Sequence, residues 1–144
     1  MDNIDLKILD MLQVNGRITM KELAQHVGLT SPATIERVKK LEEARIISGY
    51  KAVLNIDLAG LPIRVFILVT ISEGPAEAVG DYAQKHSSIL GCHRVAGSAS
   101  HILEAAVANL AALGTLLDDL GRLGIAEPLV VLSSCVENKP VVLP

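Results

Sequence analysis

Aromatic residues are almost missing: there is no tryptophan, one phenylalanine and two tyrosines in 144 residues. That argues against a surface that stacks unpaired bases on rings, as single-strand binders and the common RNA-binding sheets do. Cysteine is equally scarce. Cys92 and Cys135 stand far apart and in no CxxC pair, so neither a zinc site nor a disulfide framework is indicated, and both are expected to be buried and reduced. No run of eighteen apolar residues occurs and no basic-then-apolar leader opens the chain, so a soluble, cytoplasmic protein with no membrane partner is expected. Catalytic signatures are absent too: there is no nucleophile elbow, phosphate-binding glycine loop or HExxH sequence, and the chain reads as a non-enzyme with no cofactor and no metal.

Aliphatic side chains are what the sequence has in quantity. Hydrophobic residues make up 50% of it and charged ones 20%, leaving Ala, Val, Leu and Ile to build a core. The net charge of −3 is unevenly spread. Residues 1–60 hold eight Lys/Arg against eight Asp/Glu, and 61–144 hold five against eight. Within 17–40 there are five basic residues and two acidic ones. A local basic patch on a neutral or acidic body suffices for phosphate contacts, with modest affinity per subunit and a need for dimers or larger assemblies.

That patch lies in TMKELAQHVGLTSPATIERVKKLEEARIISGY, residues 19–50. Thr19 and Glu22 have capping-box spacing, Leu23, Ala24 and Val27 make one apolar face, and Gly28 suits a left-handed helix end. Ser31 before Pro32 is the next start signal, Ser31 serving as the cap. Ile35, Val38 and Leu41 then recur as an inward face, while Ser31, Thr34, Arg37 and Lys40 share another. Two short helices with a tight turn between them, over about residues 19–44, can push the opening of the second into a DNA major groove, where short polar side chains and arginine reach base edges. A solvated face with Arg37, Lys39 and Lys40 partly paired to Glu36 and Glu43 is the plainer reading of the charges. It predicts neither the sharp turn nor the polar opening of the second helix.

Around this segment the chain divides in two. Residues 2–15 read as a helix capped by Asp2 or Asn3, with Ile4, Ile8, Met11 and Leu12 on one side. Residues 46–56, IISGYKAVLNI, alternate as one or two strands in the position of a wing. The segment 57–62 breaks both periodicities, giving domains 1–60 and 61–144. Beyond it come a strand at 63–72, a helix at 76–86 with Val79, Tyr82 and Ala83 inward, and a strand at 89–96. A turn at 97–100 and a strand at 101–108 follow, then a helix at 109–122 presenting Leu110, Leu113, Leu117 and Leu120. A strand at 128–136 and a short tail strand complete the order. The fold class is α+β: a helical N-terminal domain and a βαββαβ, ferredoxin-like sandwich with helices on one face of an antiparallel sheet. The other face needs a cover, and oligomerisation through it is the natural outcome.

These halves in this order, with DLKILDMLQVNGRI, ELAQHVGL, IERVKKLEEARIISGYKAVLN and CHRVAGSASHIL, resemble the Lrp/AsnC family of leucine- and asparagine-responsive transcription regulators over nearly the whole chain. The resemblance implies a winged helix-turn-helix joined to a ligand-sensing, ACT-like ferredoxin sandwich. It also implies double-stranded DNA as partner, amino acids as effectors, and homodimers that pair through their sheets and assemble to tetramers or octamers. The DNA-contact set carried over is Lys21, Thr30, Ser31, Thr34, Arg37, Lys40 and Arg45, the last standing where the family usually has glycine. The effector-binding set is the hairpin turn Gly97, Ser98, Ala99, Ser100 and His101. There the family tends to have an aspartate and an aromatic where Ser100 and His101 stand, so one charge-assisted partner for an α-ammonium group is missing. Just after Leu123-Gly124-Ile125, Ala126-Glu127-Pro128 replaces polar residues.

Two alternatives stay open at this level. One is a regulator or architectural DNA-binding protein that answers to no small molecule. The other is an enzyme resembling tetrapyrrole decarboxylases of the same architecture, in which histidines act on a macrocycle. His26, His86, His93 and His101 are the acid–base candidates for it, with His93 and His101 on adjoining strands and a pocket conceivable between them. Their plainer role is as surface or satisfied polar groups.

Overall fold

A computed structural model describes residues 1–144. The chain folds into two compact units, Met1–Val53 together with Val136–Pro144, and Leu54–Cys135.

The first unit is built from α1 (Asn3–Val14), α2 (Met20–Val27) and α3 (Ser31–Glu43). Asp2 caps α1, accepting from the Ile4 and Asp5 amides at 2.9 Å, while Asp5 reaches back to the Asp2 amide. This reciprocal capping satisfies amides that a helix start leaves without partners. Ile8, Leu9, Leu23, Val27, Val38 and Leu41 form one buried cluster between the three helices. Residues 46–56 form no strand, contrary to the wing pattern read in the sequence. Their alternation finds no neighbouring strand in this unit to pair with, and Val53 and Leu54 remain exposed. A lone hairpin of that length is marginal in water.

The second unit is the four-stranded antiparallel sheet and two helices expected of the sandwich. Its elements are β1 (Ile63–Thr70), α4 (Ala78–Lys85), β2 (Ile89–Arg94), β3 (His101–Val107), α5 (Leu110–Gly121) and β4 (Ile125–Val130), with strand order β2-β3-β1-β4. Alternation along β1 and β3 sends Val65, Ile67, Val69, Leu103, Ala105 and Val107 into one core, against Val79 and Ala83 of α4 and Leu113, Leu116 and Leu120 of α5. Phe66, Leu68, Ile102 and Glu104 lie on the opposite face. There the Arg64 Nε donates to Glu104 at 2.8 Å.

Several boundaries differ from expectation for identifiable reasons. β4 begins three residues earlier than read and accommodates Pro128, which an edge strand tolerates because one side of its backbone needs no partner. It ends at Val130, and the tail forms no strand. Instead the tail packs with the first unit: Gln13 donates to the Val141 carbonyl at 3.1 Å and accepts from its amide at 2.7 Å, and Leu143 lies against the helical core. Leu110 opens α5 at 71% exposure, and Leu116 takes the inward place. Cys92 is half-buried, but Cys135 is exposed, since the chain has left β4 by then.

Candidate nucleic-acid interface

The geometry begins with the turn between α2 and α3. Thr19 and Glu22 form the expected reciprocal cap, the Glu22 amide donating to the Thr19 hydroxyl at 3.2 Å and the Thr19 amide to the Glu22 carboxylate at 3.0 Å. The Thr19 hydroxyl and amide together hold the Glu22 carboxyl below the usual range. Gly28 closes α2 at φ 73, a left-handed conformation that costs glycine nothing sterically. Thr30, not Ser31, caps α3. Its hydroxyl accepts from the Ala33 amide at 3.4 Å, and Ser31 and Pro32 are the first two helical residues. The helix therefore starts one residue earlier, and the turn is one residue shorter, than the serine-cap reading allowed.

The rear of α3 is Thr34, Val38 and Leu41, all buried. Thr34 is 0% exposed, and its hydroxyl donates to the Thr30 carbonyl at 3.0 Å. It therefore cannot meet DNA, which corrects its place in the contact set. Ile35 is correspondingly turned outward, at 49% exposure. The error is one of phase. At about 100° per residue, Thr34 falls between Val38 and Leu41 around the axis, while Ile35 sits on the flank. A three-residue ladder drifts across a helix face, and only the full periodicity places the centre of the buried stripe.

The front of α3 carries exposed Pro32, Ile35, Glu36, Lys39 and Lys40, with Ser31 half-buried at its start. Lys40 pairs with Glu36 at 2.8 Å and Lys39 with Glu43 at 3.6 Å, both as i,i+4 pairs. The Lys40 ammonium holds the Glu36 carboxyl below its ordinary value. Exposed pairs of this kind are weak and are readily exchanged for phosphate. Arg37 has a different role from the one expected. Its guanidinium contacts Asp2 at 2.7 Å and Asp5 at 2.8 Å, bracing the start of α1 against α3. Lys21 is exposed in the first turn of α2. Arg45 follows α3 in the left-handed region at φ 57, which explains in backbone terms why glycine suits that position. Sequence reasoning missed Ile35 as a front residue, and it read Lys39 as solvated without including it in the contact set.

In the other unit, the turn before β3 is tied by hydrogen bonds to the end of β1. The Ser100 amide donates to the Val69 carbonyl at 2.9 Å, and the Ser100 hydroxyl accepts from the Ile71 amide at 3.1 Å. Gly97 and Ser98 are exposed and Ala99 half-buried. His93 and His101 do not enclose a pocket between them. His93 is paired with Ile102 and Arg94 with His101, so the two histidines point to opposite faces of the sheet. His101 lies on the helix-covered face, buried, and its Nδ1 has no hydrogen-bond partner. No cluster of His, Cys, Asp or Glu is arranged to hold a metal, and no helix is long and apolar enough to cross a membrane.

Comparison with known proteins assigns each unit a counterpart. Residues 1–48 match the family model described as winged helix-turn-helix DNA-binding, and residues 64–141 match the Lrp/AsnC ligand binding domain. Among curated relatives, the HTH-type transcriptional regulator YezC of Bacillus subtilis is 37% identical, over 93% of this chain and 95% of its own. The leucine-responsive regulatory protein of Haemophilus influenzae is 34% identical, over 99% and 90% respectively. A transcriptional regulator of Neisseria meningitidis, solved as a complex with L-methionine, superposes with a TM-score of 0.91 at 31% identity, covering 98% of this chain and 96% of that one.

Proposed function

This chain belongs to the Lrp/AsnC family of transcription regulators, and on that premise we propose that it binds specific duplex DNA sites in the cytoplasm through the exposed front of α3. The observation that carries this reading is mechanical. α3 is held from behind by Val38, Leu41 and the buried Thr34, and from the side by Arg37 on Asp2 and Asp5, while its front stays open. A rod fixed from behind and from one side can enter a major groove without losing its geometry. The contact set that fits the exposure is Lys21, Ser31, Ile35, Lys39, Lys40 and Arg45, with Thr30 at the edge. Ile35 is suited to a thymine methyl group, and the lysines to phosphate.

Homodimers, pairing through the sheet face that carries Phe66, Leu68 and Ile102 and assembling further to tetramers or octamers, would set two such helices about one helical turn apart on a roughly palindromic site. The effector is an amino acid, taken at the end of the sheet where Gly97, Ser98, Ala99, Ser100 and His101 stand. The L-methionine held by the Neisseria relative supports that class of ligand.

The test is fluorescence anisotropy on the DNA upstream of the protein's own gene over a salt series. Lys40→Ala is expected to reduce the slope of log affinity against log salt by about one unit, as loss of one phosphate contact does. Thr34→Val, buried behind the helix, is expected to leave both affinity and slope unchanged. Equal slopes for wild type and Lys40→Ala would remove lysine from the interface.

A further inference from the structure

A helix in a major groove tells base pairs apart only with the side chains free at its front, and on α3 these are few. Guanine is read by a guanidinium on its O6 and N7, but the one arginine of the helix, Arg37, is held by Asp2 at 2.7 Å and Asp5 at 2.8 Å. Adenine is read by asparagine or glutamine, and α3 has neither. Cytosine offers a donor to Glu36, yet phosphates repel that carboxylate, and its partner at 2.8 Å is Lys40. Lys39 and Lys40 come in the third turn, beyond the helix opening that meets base edges. A serine hydroxyl both donates and accepts, so Ser31 discriminates little.

What remains at the opening is apolar. Ile35 is the one large aliphatic side chain exposed on α3, and it takes no part in the helical core. Pro32, also exposed, precedes it by three residues, a spacing that sets two side chains about 5–6 Å apart on one helix face. Both lie in the first two turns. A face that met only water would gain nothing from isoleucine, whose branched Cβ makes it a poorer helix former than alanine, lysine or glutamate. In the major groove the C5-methyl of thymine is the one apolar group that a base edge presents.

We propose that this chain identifies its DNA sites chiefly by thymine methyl groups, with Ile35 as the reading residue and Pro32 beside it, and not by hydrogen bonds to guanine or adenine. The inference rests on the front of α3 being the DNA-binding face, and it names what that front recognises. Burying one methyl group against Ile35 changes affinity by about three- to fivefold. That is little for a single contact, so the two half-sites of a dimer multiply it. The remaining selectivity falls to how readily the duplex bends, and a set of related thymine-bearing sites is expected in place of one strict sequence.

The test starts from duplexes that the full chain selects out of a random pool. In each, every thymine in turn is replaced by deoxyuridine, which keeps the base pairing and removes only the methyl group, and affinity is followed by fluorescence anisotropy. Wild type is expected to lose about three- to fivefold at one or two thymines of each half-site. Ile35→Ala, an exposed change to a better helix former, should bind the unmodified duplex more weakly by a similar factor and lose nothing further with deoxyuridine. Cytosine placed at the same pair and then methylated at C5 should regain affinity for wild type and not for Ile35→Ala. Equal losses in wild type and Ile35→Ala would assign the methyl group to another residue, and no loss at any thymine would mean that the site is read by other contacts. Either result overturns the proposal, while a lowered salt slope in Lys40→Ala would still keep α3 at the interface. A pool from which no duplex is retained overturns the DNA-binding front itself, and Ile35 with it.

Discussion

Arg37 could either read bases or hold α1 in place, and its contacts favour the second. With Asp2 at 2.7 Å and Asp5 at 2.8 Å the guanidinium is committed to two carboxylates, and it is only 31% exposed. Asp2 is also the cap of α1. Its carboxyl lies below the ordinary value, chiefly because it accepts from the Asp5 amide and next because of Arg37, and the Arg37 value is raised in turn. The sign of the linkage follows. A carboxylate with a depressed folded value contributes stability that is complete above its unfolded value, about 3.9 for aspartate, and is lost as pH falls through the lower folded one. Acid titration of the first unit, followed by amide exchange in α1, should therefore show a loss of protection below about pH 4. Asp2→Asn keeps an oxygen for the cap but not the charge, so it should start less protected at neutral pH and show less of this acid loss. Arg37→Gln should behave similarly at neutral pH. If it instead left α1 protection intact and weakened DNA binding tenfold, Arg37 would belong with the base-reading residues after all.

Among the elements, the join of α5 to β4 is the tightest. A Cβ at Gly124 would fall against the Thr70 carbonyl, closer than any real side chain sits, and against the Ile71 backbone. Backbone cannot move aside as a side-chain tip can, so Gly124→Ala should cost the second unit about 1–3 kcal/mol, in the range of overpacked cores, measured by chemical denaturation. Such constraints explain what could be read in advance. The existence and order of nearly every helix and strand were legible because each carries a period: aliphatic runs in β1 and β3, stripes in α4 and α5, and capping pairs at Thr19 and Glu22. The register that buries His101 and exposes His93 depends on which strand pairs with which, and no local pattern states it. The strand at 46–56 failed because alternation specifies a surface, not a neighbour. On α3, the exposure of Lys40 and the position of Ser31 at the helix start were legible from spacing. Thr34 and Ile35 exchanged places because a three-residue ladder does not fix the centre of a helix face, and Arg37 was misplaced because its partners lie more than thirty residues away in α1.

At the scale of the whole molecule, the chain begins and ends in the same unit, Met1–Val53 being completed by Val136–Pro144. That unit's core is small, six buried aliphatic side chains shared by three short helices, and domains of this size bury too little surface to be secure alone. The tail adds to it in two ways. Leu143 packs on the helical core, and Val141 exchanges two hydrogen bonds with the Gln13 side chain. Leu143 is only partly buried and the hydrogen bonds are exposed, so the sum lies at the low end of the usual ranges, about 1–2 kcal/mol. Ending the chain after Cys135 should therefore lower the stability of the first unit by that amount and leave the second, whose sheet is complete at Val130, unchanged. Hydrogen exchange resolves the two: faster exchange confined to amides of α1 and its neighbours is the expected result. Equal exchange in full-length and shortened chains would mean that the tail rests on the unit without stabilising it, and that the three helices hold α3 in place unaided.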